Sequence, residues 1–258
     1  MKTLRISIAT AVAFASLLAF SLPAPADASP LISIGDGPGF TSWQDAINAG
    51  LIQPATGLTD EENAFYGSQV SNYAYTPNME VFNNLNVSDG TISRDALVMS
   101  WDPEPGTDLT IAAWEYVYDI DPDLTGTTIK LSLLAPTSIW DFSIELIDAN
   151  NRVRAWFVDM SGITNNVWQN ISLDPTQQIQ PGFIPGTIQD PLFDITQVTK
   201  IRLDEAGMTS AILTPPPPGG TIVGQWNAWN SLQVVPEPSR VILSLVGIAA
   251  IGLRRRRG

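Results

Sequence analysis

From Asp95 to Val235 the chain alternates apolar and polar residues in short runs, each bounded by Gly, Pro, Asn or Asp. A period of two residues is the mark of a strand with one face buried. The runs ALVMSWD (96–102), LTIAAWEYVYDI (109–120), TTIKLSLLA (127–135), FSIELIDA (142–149), RVRAWFVDM (152–160), NVWQNISL (166–173), VTKIRLDE (198–205) and NAWNSLQVV (227–235) are rich in β-branched and aromatic residues. Strands this short and this numerous predict an all-β fold, a single sandwich of jelly-roll size over 93–235. Ala149-Asn150-Asn151-Arg152 joins two of them, and Asn tolerates the positive φ of a tight hairpin. Pro215 to Pro218 with Gly219-Gly220 is a loop, because proline cannot donate to a strand ladder. Residues 29–92 lack the alternation and are expected to be irregular, with two short helices. Ser42 or Thr41 caps the first, which Gly50 stops. Thr59 and Glu62 form a capping box for the second.

Alternation also sorts the tryptophans, eight of which lie in the body. Trp229 falls with Asn227, Ser231 and Gln233. Trp168 falls with Asn166, Asn170 and Asp174. Trp156 falls with Arg152 and Arg154. Indole faces in polar company suit the C–H faces of sugar rings, so Trp156, Trp168 and Trp229, with Arg154, are the expected ligand platform. Trp114, Tyr116, Tyr118 and Ile120 form a stripe expected to be core. The acidic turn Asp119-Ile120-Asp121-Pro122-Asp123 offers oxygens of the kind calcium takes, which makes structural calcium the one cofactor to consider. It is not an EF-hand, because Gly126 stands at loop position eight and Lys130 at twelve.

The ends are patterned differently. Lys2 and Arg5 precede an uncharged apolar stretch, and Ala26-Asp27-Ala28 suits cleavage by signal peptidase before Ser29, so 1–28 read as a secretory signal. At the other end Val241 to Leu253 is an apolar run of thirteen residues followed by Arg254 to Arg257. As a helix it reaches roughly 20 Å, short of a hydrocarbon core of about 30 Å. The arginines favour the cytoplasmic side, which places the body outside, as the N-terminal signal also does.

Pro236-Glu237-Pro238, the apolar run and Arg254, Arg255, Arg256 and Arg257, in that order, resemble a PEP-CTERM sorting signal over 236–258. The resemblance implies a Gram-negative, exopolysaccharide-forming producer. It also implies an exosortase that cleaves near the Pro-Glu-Pro motif after transient anchoring in the inner membrane, leaving the product at the cell surface or beyond it. NVWQNISLD, FDITQVTKIRLDEAG and WNAWNSLQVV give the body a second resemblance, to galactose-binding-like jelly-roll modules of the carbohydrate-binding kind.

Composition narrows the chemistry. The chain has no Cys and no His, which excludes disulfides, thiolate or imidazole metal sites, and Ser-His-Asp or Cys-His catalysis. Formal net charge is -13, and seven of the thirteen basic residues sit at the two ends. The body is therefore strongly acidic, and nucleic acid is excluded as a partner. These features predict a non-catalytic extracellular or surface protein that associates with matrix polysaccharide. Two other readings stand beside it: a secreted glycan hydrolase drawing on Glu104, Glu115 or Glu145, and a structural matrix protein with no ligand.

Overall fold

The computed structural model describes residues 30–76, 78–101, 106–136, 141–184, 188–208 and 225–237. Its strands are β1 (Ile32–Gly35), β2 (Ile52–Pro54), β3 (Tyr73–Tyr75), β4 (Asn78–Ser88), β5 (Ser93–Trp101), β6 (Leu109–Val117), β7 (Thr127–Leu134), β8 (Asp141–Asp148), β9 (Val153–Val158), β10 (Gln169–Leu173), β11 (Phe183–Ile184), β12 (Val198–Met208) and β13 (Gln225–Pro236). Two helices, α1 (Trp43–Asn48) and α2 (Asp60–Gln69), precede most of them. The body Pro30–Pro236 forms one compact unit. The expected signal, with Ala26, Ala28 and Ser29, lies outside the described residues. So do the proline loop at 215–220, Glu104, Pro238 and the arginine tail.

The strands form an all-β sandwich of two sheets. Sheet A runs β10-β7-β13-β5-β4, with β1 also on β13; sheet B runs β11-β9-β8-β12-β6-β2, with β3 also on β6. Apart from the parallel β3–β6 pair, these neighbours are antiparallel. Alternation puts Leu97, Leu131 and Leu232 of sheet A against Trp114, Ile144 and Leu203 of sheet B, the core between the layers. Trp229 lies within it, its ring 4.8 Å from Phe142 and 6.3 Å from Trp114. Trp43 of α1 closes the end of this aromatic row, 5.5 Å from Trp114, and donates its indole N–H to the Asn230 carbonyl.

Sheet B is covered on both faces. α2 lies on its outer face, where Phe65 meets Phe157 at 4.9 Å and Tyr66 is fully buried. That is why β9 is apolar on both sides, with Trp156 and Val158 inward and Val153, Ala155 and Phe157 under α2 and Ile188.

All eight strands expected beyond residue 93 are present, and so are the two helices. Ser42 accepts from Asp45 N, and Thr59 and Glu62 close their box reciprocally. The Asn150-Asn151 hairpin forms with Asn151 at φ 59°. Residues 30–92 depart from the expectation of irregularity. β1 and β4 are integral to sheet A, and β4 is an eleven-residue strand. Its Asn-rich sequence hides the alternation, and its register shifts between Phe82 and Val87. The Trp114 stripe is core as far as Tyr118, but Ile120 is 83% exposed, because β6 has already ended.

Candidate functional site

Two of the expected platform tryptophans are interior. Trp156 and Trp229 are 0% exposed, which rules out flat stacking of a sugar on either ring. The alternation misplaces them for two different reasons. At Trp156 the strand is buried on both faces, so polar neighbours at its end, Arg152 and Arg154, do not mark a wet side. Its N–H goes to the Gln177 carbonyl at 2.8 Å. At Trp229 a β-bulge shifts the register between Trp229 and Ser231, and a single inserted residue reverses the parity of everything beyond it. Trp226 and Ala228 thus point outward from sheet A, while Trp229 points inward together with Leu232 and Val234. Arg154 lies apart from these, its guanidinium 4.7 Å from the Phe193 ring centroid.

Trp168 remains accessible. It precedes β10 on the outer side of sheet A, the side of Asn170 and Ser172, and is half-buried against Phe82, Leu134 and Trp226. The Arg94 guanidinium of β5 stands 5.6 Å from its ring centroid and donates to Asn230 Oδ1 at 2.9 Å. The hairpin between β4 and β5 touches it too, since the Trp168 backbone N–H donates to Asp89. Ile92, in that hairpin, and Val167, the residue before Trp168, are both exposed. Asp89 is held below the usual carboxylate range by the N–H groups of Ile92 and Thr91. The indole and the Arg94 guanidinium, with Asn170 and Ser172 further along the same face of β10, combine an apolar platform with polar groups.

A second constellation went unanticipated. Arg202 of β12 lies directly opposite Glu115 of β6 and Glu145 of β8, a row across three strands on the outer face of sheet B. Arg202 Nη2 reaches Glu115 Oε1 at 2.6 Å, its Nη1 bonds Glu62 of α2, and Glu145 Oε2 stands 3.9 Å away. Lys200 Nζ adds a contact to Glu115 at 3.0 Å, and Tyr66 donates to Asp204 at 3.1 Å.

Burial pushes Glu145 well above the usual carboxylate range, and the adjacent Glu62 charge adds to it. Burial would raise Glu62 too, but its hydrogen bond with Glu145 and the charge of Arg202 hold it low. One carboxyl of the pair is thus neutral and the other ionised, as two acids sharing a proton must be. Glu62, Glu145 and Asp204 bring carboxylate oxygens within 4.8 Å of one another, a buried triad that could hold a metal such as calcium. The sequence signal was present: KIRLDE puts Lys200, Arg202 and Asp204 on one face of a strand, and such a row either meets solvent or meets countercharge.

Asp119, Asp121 and Asp123 form no comparable group. All three are exposed in the β6–β7 loop, and Asp123 accepts from the Thr125 N–H at 2.8 Å as an Asx turn. Glu115 and Glu145, the described candidates for hydrolysis, are both buried, which keeps their carboxyls from a glycosidic oxygen.

A third polar group lies between the sheets. Glu205 is fully buried facing inward, against Asn227 and Trp229 of sheet A. Burial holds its carboxyl well above the usual range, opposed by its contacts with Asn227 and Trp229.

No family model matches the chain, and no curated protein matches it. Among solved structures, an exo-β-agarase is similar over 64% of this chain and 22% of its own length, at 11% identity and a TM-score of 0.41. The family 11 carbohydrate-binding module from Clostridium thermocellum, in complex with a β-1,3-1,4-mixed-linked tetrasaccharide, is similar over 63% of this chain and 84% of its own, at 10% identity and a TM-score of 0.37. The CBM22-1 xylan-binding domain from Paenibacillus barcinonensis Xyn10C is similar over 83% and 99%, at 11% and 0.35. At these scores the likeness reaches neither ligand nor reaction. The two-sheet architecture rests on the chain's own strand pairing.

Proposed function

We propose that this is an exported, non-catalytic protein that holds extracellular polysaccharide on the outer face of sheet A. The observation that carries the binding reading is Trp168, a half-buried indole on a sheet face beside the Arg94 guanidinium, on the same side of its strand as exposed Asn170 and Ser172. A pyranose ring laid on it would cover apolar area, with its hydroxyls left to amide and hydroxyl partners at the rim. Lack of catalysis is supported by the missing His and Cys and by the burial of Glu115 and Glu145. Export by signal peptidase, transient inner-membrane anchoring and sorting by an exosortase-type transpeptidase are supported by the two end patterns of the sequence.

Affinity electrophoresis of the full chain through gels cast with individual polysaccharides tests the binding reading. Retardation by at least one of them is expected, reduced about tenfold or more in Trp168→Ala, on the scale of one lost aromatic contact. Free migration in every gel by a folded protein defeats it. Sorting is tested separately by mass spectrometry of the protein from its own host. A chain beginning near Ser29 and ending near Pro236–Pro238 is expected, and a product retaining Arg254 to Arg257 contradicts it.

A further inference from the structure

We infer that the polysaccharide this face takes is anionic, bearing uronate carboxylates or sulfates. The inference rests on the binding reading above and narrows it to a ligand class. Six basic residues lie in the body: Arg94, Lys130, Arg152, Arg154, Lys200 and Arg202. Arg202 and Lys200 are tied to Glu62 and Glu115 on sheet B. Arg152 donates to the Leu192 carbonyl and Arg154 lies on Phe193, both at the loop that follows Asp190.

The remaining two, Arg94 and Lys130, share the outer face of sheet A with Trp168. Lys130 alternates with inward Ile129 and Leu131 and is exposed, opposite Ser172 on one neighbour and Gln233 on the other. Arg94 alternates with inward-facing Leu97 and Met99 by way of outward Ala96 and Val98. Neither cation forms a salt bridge among the described residues. β7 and β5, which carry them, are separated only by β13, so the strands lie about 10 Å apart.

A neutral glycan asks for hydroxyl and amide partners, not for cations. Two cations that form no salt bridge among the described residues, beside an accessible indole, match a sugar chain with regularly placed negative charge. The opposing consideration is the chain's net charge of -13, which repels polyanions as a whole. At physiological salt the Debye length is about 8 Å, so distant acids are screened and the charges touching the ligand decide. Asp89, the acid beside Trp168, is engaged by the N–H groups of Thr91, Ile92 and Trp168 and feels the Arg94 charge, so it offsets part of that cation's pull and Lys130 carries the larger share of the attraction.

The test compares the full chain in gels containing polygalacturonate, alginate or a sulfated galactan with gels containing dextran, hydroxyethylcellulose or xyloglucan, at 0.05 and 0.5 M NaCl. Retardation confined to, or at least about tenfold stronger in, the anionic gels is expected, and it should weaken in high salt. Lys130→Gln and Arg94→Gln should each weaken it about two- to fivefold, the scale of one exposed charge contact. Arg94 also packs on Trp168, so Ser172→Glu serves as the fold-safe companion to Lys130→Gln. It sets a carboxylate opposite Lys130 and should weaken anionic binding without removing any cation. Equal or stronger retardation by neutral glycans, insensitive to Lys130→Gln, overturns this inference and leaves the binding reading standing. Retardation by none of the six overturns both.

Discussion

Glu145 and Glu205 are fully buried carboxyls, and burial holds both well above the usual carboxylate range. Both therefore hold their protons in the fold at pH values where the unfolded chain has already released them. Their contribution to stability is complete below the usual carboxylate range and is lost as pH rises toward the folded values. The loss runs at up to about 1.4 kcal/mol per pH unit for each proton. Glu62, held low, runs the other way, and its contribution fades on acidification. Urea midpoints should therefore fall between pH 5.5 and 8.5, and Glu205→Gln, which fixes the neutral form, should flatten the fall. A wild-type profile level across that range would show that these protons are not retained. At the same scale, Trp156→Ala and Trp229→Ala should each cost about 3–5 kcal/mol in urea denaturation, as core aromatics do. Trp168→Ala should cost clearly less and act on ligand instead. The sequence could not separate these three rings. Parity works only while a strand has one wet face and no inserted residue; β9 breaks the first condition and β13 the second.

Helix α2 is held to sheet B at two levels, by Phe65 and Tyr66 in apolar contact and by Glu62 on Arg202. Glu62 also closes the capping box with Thr59, so one side chain starts the helix and docks it. Thr59→Ala should cost about 1 kcal/mol. Arg202→Met should cost about 3–5 kcal/mol, because it leaves Glu62 and Glu115 buried without their guanidinium; denaturation with both variants checks the order. Strand β1 depends on Gly35, whose φ is 123° and whose Cβ, if present, would lie 1.9 Å from the Asn230 carbonyl oxygen. Gly35→Ala should cost about 2–4 kcal/mol from strain and overlap and speed amide exchange along residues 32–35. An unchanged exchange pattern would mean that β1 is not fixed by this contact. The caps and the Asn150-Asn151 turn were legible because their signals are local. β1 and β4 were not, because each is a strand only through its partner: four residues paired with β13, and an Asn-rich run paired with β5.

At the scale of the whole molecule, the two-layer class was readable from alternation, but the layout of charge was not. Distributed along the sequence, Arg94 and Lys130 look no different from Lys200 and Arg202. Only the pairing of strands puts one couple against carboxylates under a helix and leaves the other on an open face. Pairing also joins the ends of the body, with Ile32 opposite Val234 and Thr127 opposite Pro236, and contacts of such separation form slowly. β13 is the middle strand of sheet A, gripping β7, β5 and β1, and it is the last of the described strands to leave the ribosome. Until it arrives, that sheet has a gap where its keystone belongs. Sheet A can thus knit shut only after nearly all of the body has been made. A scissile bond upstream of Pro236 would pull the last stitch, whereas one just beyond would leave the fabric whole.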